Sequence, residues 1–170
     1  MFADSERMAL CAALLARCPD IELCVIGELY DHIMPDLENG KLDLGVSMIP
    51  HNTGASALVH EPLYRDQIHP TVRVGHPLLA KPNLTAADCA SCGWILPAPD
   101  NPGRRRLEAF FFAQGLGAPQ PSIVTNSTLF AISTMQNSDL IGWHPKQVIG
   151  DSAVTGLAAL PVPEITLTRR

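Results

Sequence analysis

The sequence predicts an α/β fold, built from two units in which helices and strands alternate. Two observations favour this class. Helix-like and strand-like segments follow one another along the chain, separated by glycine, proline and asparagine. With 46% hydrophobic residues in 170, the chain has enough apolar side chains for a real core. Strand, helix and strand in close succession imply parallel strands joined by crossover helices.

The first unit begins with a helix from Met8, whose apolar residues fall three and four positions apart and which Pro19 ends. Residues 21–26 form an apolar run, typical of a strand covered on both faces. A second helix is expected over 31–40, where Gly40 suits a left-handed cap, with a strand over 42–49 after it. In that helix Pro35 is tolerable mainly if it lies close to the first turn.

The second unit follows a stretch at 57–75 that reads as extended, with Pro62 and Pro70 interrupting it. Its strands are expected at 94–96, 122–125 and 140–143, and its helices at 104–114 and 128–137. Asn126 or Ser127 is the expected N-cap of the last helix. Residues 157–167 look extended again, so two hinge strands are expected to flank the second unit.

Composition narrows the function classes. A net charge of −5 repels phosphate backbones, which argues against direct nucleic-acid binding by this part of the chain. No run of about 18 apolar residues occurs and the first residues are acidic, so we expect a cytoplasmic protein without a membrane partner.

Five cysteines in a chain of this size indicate thiols in a reducing compartment. Cys89 and Cys92 form an isolated Cys-x-x-Cys. The segment before it is helix-like and no second ligand pair is present, so incidental thiols are favoured over a redox or zinc site. We expect no cofactor, no metal and no catalytic residue.

A set of motifs, in order along the chain, resembles one known family. Lys41-Leu-Asp-Leu-Gly-Val46 is similar to a signature of the effector-binding domain of LysR-type transcriptional regulators. Five further segments look like that family's hinge strands and second lobe: Glu61-Pro-Leu63, Gly75-His-Pro-Leu-Leu-Ala80, Pro97-Ala-Pro99, Asp139-Leu-Ile-Gly-Trp-His-Pro145 and Leu160-Pro-Val-Pro-Glu164. Each match is weak alone, and the ordered set carries the resemblance.

The resemblance implies a periplasmic-binding-protein type II-like fold, with two Rossmann-like lobes joined by two hinge strands. Lobe one would comprise residues 1–62 and 160–170, and lobe two residues 63–159. The winged helix-turn-helix of such regulators is absent from the chain, and lobe one is expected to be incomplete. DNA contact is therefore expected only through that missing domain. Sequence-selective binding of DNA by these residues alone would contradict this expectation.

The expected effector site lies at the carboxyl ends of strands and at helix N-termini, where free N–H groups favour anions. Serine, threonine and asparagine side chains there favour a small anionic metabolite. The candidate residues are Ser5, Ser47, Met48, Ile49, His60, Pro99, Asn101, Asn126, Ser127, Thr128 and His144. An alternative interpretation assigns these residues no ligand. In it, the helix is merely capped by Asn126, Ser127 and Thr128, and a strand merely packs through Ser47 and Met48.

The arginines at 104–106 are read either as an anion clamp or, more commonly for such a run, as a solvated helix face. The family resemblance implies an antiparallel homodimer, or a homotetramer. In it, the first helix and strand 21–26 of one copy pair with helix 104–114 and strand 122–125 of another. Phe110, Phe111 and Phe112 spread around helix 104–114, so at least one of them is expected to face a partner.

The sequence has two alternative functional interpretations, an enzyme and a solute-binding protein. An enzyme is disfavoured because no nucleophile elbow, phosphate loop, dinucleotide motif or zinc-protease motif occurs, and the six histidines lack ligand spacing. A solute-binding protein of a transport system would share the fold, but it would be exported, whereas the cysteines and acidic start point inward. The regulator interpretation is preferred to both.

Overall fold

The structure, a computed structural model, describes residues 4–27, 30–46, 58–63, 65–150 and 155–169. These residues divide into two units, one drawn from Met1–Arg65 with Arg169–Arg170 and the other from Asp66–Thr168. Within the described ranges no helix is long and apolar enough to cross a membrane.

Unit 1 contains two helices, α1 (Asp4–Arg17) and α2 (Tyr30–Glu38). The first helix ends just before Pro19, as expected. The second ends at a turn whose Gly40 adopts φ +68°, the left-handed conformation that glycine tolerates best. Pro35 is not in the first turn, however, since it is the sixth residue of α2.

The two strands expected in unit 1 are not formed by the described residues. Residues 21–27 and 42–46 have no regular structure, and residues 47–49 lie outside the described ranges. Residues 21–26 are not covered on both faces either, because Val25 is 65% exposed. An apolar composition favours burial, but a strand exists only where a neighbour completes its hydrogen bonds.

Unit 2 follows the predicted order closely. Its elements are β1 (Asp66–Arg73), α3 (Ala86–Ala90), β2 (Trp94–Leu96), α4 (Pro102–Ala113), β3 (Pro121–Val124), α5 (Thr128–Gln136), β4 (Gly142–Pro145), α6 (Lys146–Ile149), β5 (Leu157–Ala159) and β6 (Leu167–Arg169). Two 3₁₀ turns, Pro77–Ala80 and Pro163–Ile165, interrupt the connections. The fourth strand begins two residues later than expected, and α6 was not anticipated.

The strands of unit 2 are mixed in direction. β2 pairs with β3 in parallel, and a parallel bridge joins Trp94 to Ile141 just before β4. β1 runs antiparallel to both β4 and β5, and β6 also pairs with β1. The expectation of parallel strands therefore holds for β2 and β3, while β1 reverses the direction because it returns from an extended segment rather than from a crossover helix.

Core side chains lie on both faces of these strands. On one face, Trp94 and Phe111 of α4 meet edge to face with ring centroids 6.0 Å apart, and both are fully buried. On the other face, Ile95 packs with Met135 of α5 and Leu157 of β5. Alternation along β2 thus sends neighbouring residues into two separate apolar clusters, which fixes the positions of α4 and α5 relative to the strand ends.

Candidate effector site

The candidate site in unit 2 is built on the ends of β2 and β3. Because these strands are parallel, their carboxyl ends meet at one edge. Two hydrogen bonds join the segments that follow them. Thr125 N–H donates to the Leu96 carbonyl at 3.0 Å, and Ala98 N–H donates to Oδ1 of Asn126 at 3.3 Å. The loops that lead into α4 and α5 are therefore held side by side.

Asn101 is the N-cap of α4. Its Oδ1 accepts from Gly103 N–H at 2.9 Å and from Arg104 N–H at 3.3 Å, while Pro102 occupies the first helical position, where no N–H is needed. Pro99 lies in the exposed turn just before it. Capping fixes the direction in which α4 leaves the edge.

Ser127, rather than Asn126, is the N-cap of α5. Its Oγ accepts from Phe130 N–H at 3.3 Å, and its own N–H donates to Thr125 Oγ1 at 3.1 Å. Thr128 is the first residue of the helix and is half-buried. Capping is thus established for Ser127, and it leaves the ligand interpretation of all three residues untested.

The two asparagines have a defined orientation. In each, the amide oxygen accepts from backbone N–H groups, which can only donate. The opposite end of each amide is therefore an NH₂ group, which can donate but not accept. Both side chains can offer donors to a ligand, so this edge suits hydrogen-bond acceptors such as carboxylate oxygens.

Arg104 is neither an anion clamp nor part of a solvated face. Its side chain is buried, with Nε donating to Glu108 Oε1 at 2.7 Å and Nη1 donating to the Pro97 carbonyl at 3.0 Å. Its role is to tie the first turn of α4 to the loop after β2. Arg105 and Arg106 are exposed, as a solvated face requires.

His144 lies within β4 rather than after a strand. Its ring leans over Gly142, where a Cβ would lie 2.6 Å from Cε1 of the imidazole. Burial lowers the pKa of His144 to about 4, so the imidazole is neutral at neutral pH. The ring therefore lies over β4 itself, on the face that carries Met135 of α5.

The candidates in unit 1 are separated from this edge in the sequence and are described by themselves. Ser5 is the second residue of α1, and His60 lies in an exposed irregular segment. Ser47, Met48 and Ile49 lie outside the described residues. Within unit 2, the geometry brings together the candidates that follow β2 and β3, namely Pro99, Asn101, Asn126, Ser127 and Thr128.

The side chains of Cys89 and Cys92 are held in the protonated thiol form. Burial raises the pKa of Cys89 to about 12, and burial also raises the pKa of Cys92, whose Sγ donates to the Asp88 carbonyl at 3.4 Å. A thiol in this state is a poor nucleophile and a poor metal ligand. Over the described ranges, no three histidine, cysteine or acidic side chains come together to hold a metal ion.

Sequence reasoning missed the residues that hold the edge together. The Arg104–Glu108 pair has i,i+4 spacing on a helix, a signal that was present in the sequence. The bond from Ala98 to Asn126 spans 28 positions and had no sequence signal. Leu129 and Phe130, 73% and 52% exposed at the start of α5, were also not singled out.

Comparison with known proteins agrees with the motifs found in the sequence. The family model of the LysR substrate binding domain matches residues 2–170. The HTH-type transcriptional regulator GbpR of Azospirillum brasilense is 29% identical over 125 residues, which cover 72% of this chain and 36% of that regulator. The match therefore spans about a third of the relative's length.

Two solved structures share the fold. The CcmR regulatory domain of Synechocystis PCC6803, in complex with 2-PG, gives a TM-score of 0.81 at 17% identity over 99% of this chain and 80% of that chain. The effector binding domain of QuiR, in complex with shikimate, gives 0.66 at 20% identity over 84% of this chain and 66% of that chain. With a family model that matches nearly every residue, the chain belongs to the LysR substrate-binding domain family and has its periplasmic-binding-protein type II-like α/β fold.

Proposed function

We propose that this chain is the effector-sensing part of a LysR-type transcriptional regulator and binds a small anionic metabolite. The observation that carries the anionic preference is the orientation of Asn101 and Asn126, whose oxygens are engaged by backbone N–H groups. The other end of each amide is then an NH₂ group, which can donate to a ligand that accepts. The N-termini of α4 and α5 at the same edge favour negative charge as well.

The related structures support an acceptor-rich ligand. QuiR binds shikimate, a carboxylate, and CcmR binds 2-PG. Pro99, Ser127 and Thr128 are proposed to complete the unit 2 side of the site. Ser5, Ser47, Met48, Ile49, His60 and His144 remain proposals as effector contacts.

Asn126→Asp tests the orientation argument directly. The substitution keeps an oxygen that can accept from Ala98 N–H, but replaces the donor group with a second acceptor that carries charge. We expect at least a ~10-fold loss of affinity for a carboxylate effector, because a charge-assisted hydrogen bond of about 1.5–3 kcal/mol is removed. Asn83→Asp makes the same charge change at an exposed turn and serves as the control.

The effector itself is to be found by a thermal-shift screen of organic acids against neutral and cationic metabolites, followed by calorimetry. Stabilisation by acids that is weakened in Asn126→Asp and retained in Asn83→Asp supports the proposal. Stabilisation only by neutral or cationic compounds contradicts the anionic preference.

We further propose that the ligand is sensed rather than converted. The similar protein GbpR is a transcriptional regulator, which supports a cytoplasmic, non-enzymatic role over that of a transport protein. An NMR spectrum of the effector after prolonged incubation with the protein should be unchanged, whereas turnover would indicate an enzyme.

Effector binding shifts the balance between two conformational states of the protein only if the effector has different affinities for them. A ~10-fold preference for one state corresponds to about 1.4 kcal/mol. We propose that this shift reaches DNA through a separate DNA-binding domain of the regulator.

Self-association is proposed through the surface of α4 and β3 in one copy and of α1 with residues 21–26 in the other. The exposed apolar side chains on these elements support it: Phe112, Val124, Leu10, Val25 and Ile26 are between 52% and 65% exposed. Phe112→Asp should yield monomers in analytical ultracentrifugation. Phe130→Asp changes a phenylalanine of similar exposure on α5 and should leave the dimer intact. An unchanged dimer in Phe112→Asp argues against this interface.

A further inference from the structure

Buried polar atoms without a hydrogen-bond partner gather on neighbouring elements of unit 2. Nε2 of His69, Nδ1 of His144 and Oε1 of Gln147 are in this condition. They belong to β1, β4 and α6, which contact one another. Buried polar groups are normally satisfied, so a cluster of exceptions calls for a physical explanation.

The two histidines face each other across the β1–β4 pair. His69 lies directly opposite His144 in the antiparallel register. Side chains in such a pair point to the same face, with Cβ atoms about 4.5–5.5 Å apart. That face carries Met135, which is fully buried and close to Gly142. The imidazole of His144 therefore lies over an apolar layer. The His69 imidazole shares its face, and Nδ1 of His69 lies 3.4 Å from Oγ1 of Thr166.

The surroundings of the two histidines disfavour protonation of either imidazole. Burial and then the positive charge of Lys146 on α6 lower the pKa of His69, and the carboxylate of Asp66 on β1 only partly opposes them. Burial alone lowers the pKa of His144. The neighbouring elements β2, α5 and β5 carry no ionisable side chain, and β6 carries Arg169.

We propose that His69 and His144 form an acid-sensitive latch, which holds β1 to β4 while both imidazoles are neutral and loosens when either is protonated. Protonation would place an uncompensated charge against an apolar layer, and a second proton would set two like charges opposite each other. β1 is the first strand of unit 2 and also pairs with β5 and β6, so its release would disturb the whole sheet. The latch does not depend on the proposed effector.

The direction of the pH effect follows from linkage. A histidine whose folded pKa lies below its unfolded value near 6.5 contributes stability that is present above pH 6.5 and lost as the pH falls towards the folded value of about 4. From these two values, His144 alone raises the equilibrium constant for unfolding roughly 30-fold between pH 7.5 and pH 5. His69 acts in the same direction.

Urea denaturation of the whole chain, followed by tryptophan fluorescence at pH 7.5 and pH 5, tests the latch. Both tryptophans, Trp94 and Trp143, lie in unit 2, and Trp143 is on β4 itself. The wild type and the control His60→Leu, at an exposed histidine, should show the full loss of stability at pH 5. In His144→Leu, the unfolding equilibrium constant should rise roughly 30-fold less between pH 7.5 and pH 5 than it does in the wild type. An identical pH dependence in His144→Leu overturns the proposal.

A second measurement needs no variant. NMR titration of the imidazole Cε1–H signals in the wild-type chain follows all six histidines individually. We expect two of them to titrate clearly below pH 6.5, with loss of β1–β4 amide contacts over the same pH range. If all six titrate near 6.5, or if the two low values titrate without any change in β1–β4, the latch is refuted.

Discussion

Gly142→Ala is the sharpest structural test of how β4 meets α5. An added Cβ would lie 2.4 Å from Sδ of Met135, and 2.6 Å and 2.8 Å from Cε1 and Nδ1 of His144. Both neighbours would have to move, and Met135 is fully buried among Ile95 and other core residues, which leaves little room. Overpacking of this kind costs about 1–3 kcal/mol.

The assay is urea denaturation at pH 7.5, read from the tryptophan fluorescence of unit 2. With an m-value of about 1–3 kcal/mol/M, a loss of about 2 kcal/mol lowers the midpoint by roughly 1 M. Gly117→Ala is the matched control, because nothing lies within 4 Å of its added Cβ and its φ is not in the left-handed region. It should be neutral or slightly stabilising.

A double-mutant cycle identifies the cause. If the clash with Met135 dominates, Gly142→Ala combined with Met135→Ala should be less destabilised than the sum of the two single variants. An unchanged midpoint in Gly142→Ala would refute the close approach of β4 to α5, whereas strict additivity in the cycle would assign the loss to the clash with His144 instead of Met135.

Three further substitutions have defined outcomes. Phe111→Ala removes a fully buried ring and should cost about 3–5 kcal/mol in urea denaturation, whereas Phe112→Ala, 63% exposed, should change the stability of an isolated chain by less than about 0.5 kcal/mol. Asn101→Ala removes the cap of α4 and should cost about 1 kcal/mol by thermal unfolding; no change would mean that the cap contributes nothing. Arg104→Ala leaves the Pro97 carbonyl without its donor and should cost about 1–3 kcal/mol, while the exposed Arg105→Ala should be nearly neutral; equal effects would contradict the separate roles of the two arginines.

Local signals in unit 2 were strong enough to place most of its elements from the sequence. β2 was predicted with the bounds that the structure has, and α4 and α5 begin and end within two residues of their expected bounds. Their boundaries are set by proline, glycine and capping residues, which act over a few positions and are visible in the chain. Of the three consecutive phenylalanines, Phe112 is the one that is 63% exposed, and its contact with a partner stays a prediction.

In unit 1 the same reasoning failed for the strands. Residues 21–26 and 42–46 have the composition of strands, yet the structure gives them no regular conformation. Helix α1 could be predicted because its hydrogen bonds close within the segment. A strand depends on a neighbour that may lie anywhere in the chain, so composition alone does not decide it.

The candidate effector site shows the same division. The sequence by itself determined the family, the class of the fold and a helix N-cap at Asn126 or Ser127, because these depend on ordered motifs and on contacts over two or three positions. The structure identified Ser127 as that cap and showed that Asn101, which was not expected as a cap, begins α4. Only the tertiary structure decided which end of Asn126 is free, since Ala98 lies 28 positions away. It also decided that His144 lies half-buried opposite His69, a pairing set by the register of two strands 75 positions apart. Orientation and burial depend on which distant groups become neighbours, and packing of the whole unit determines that.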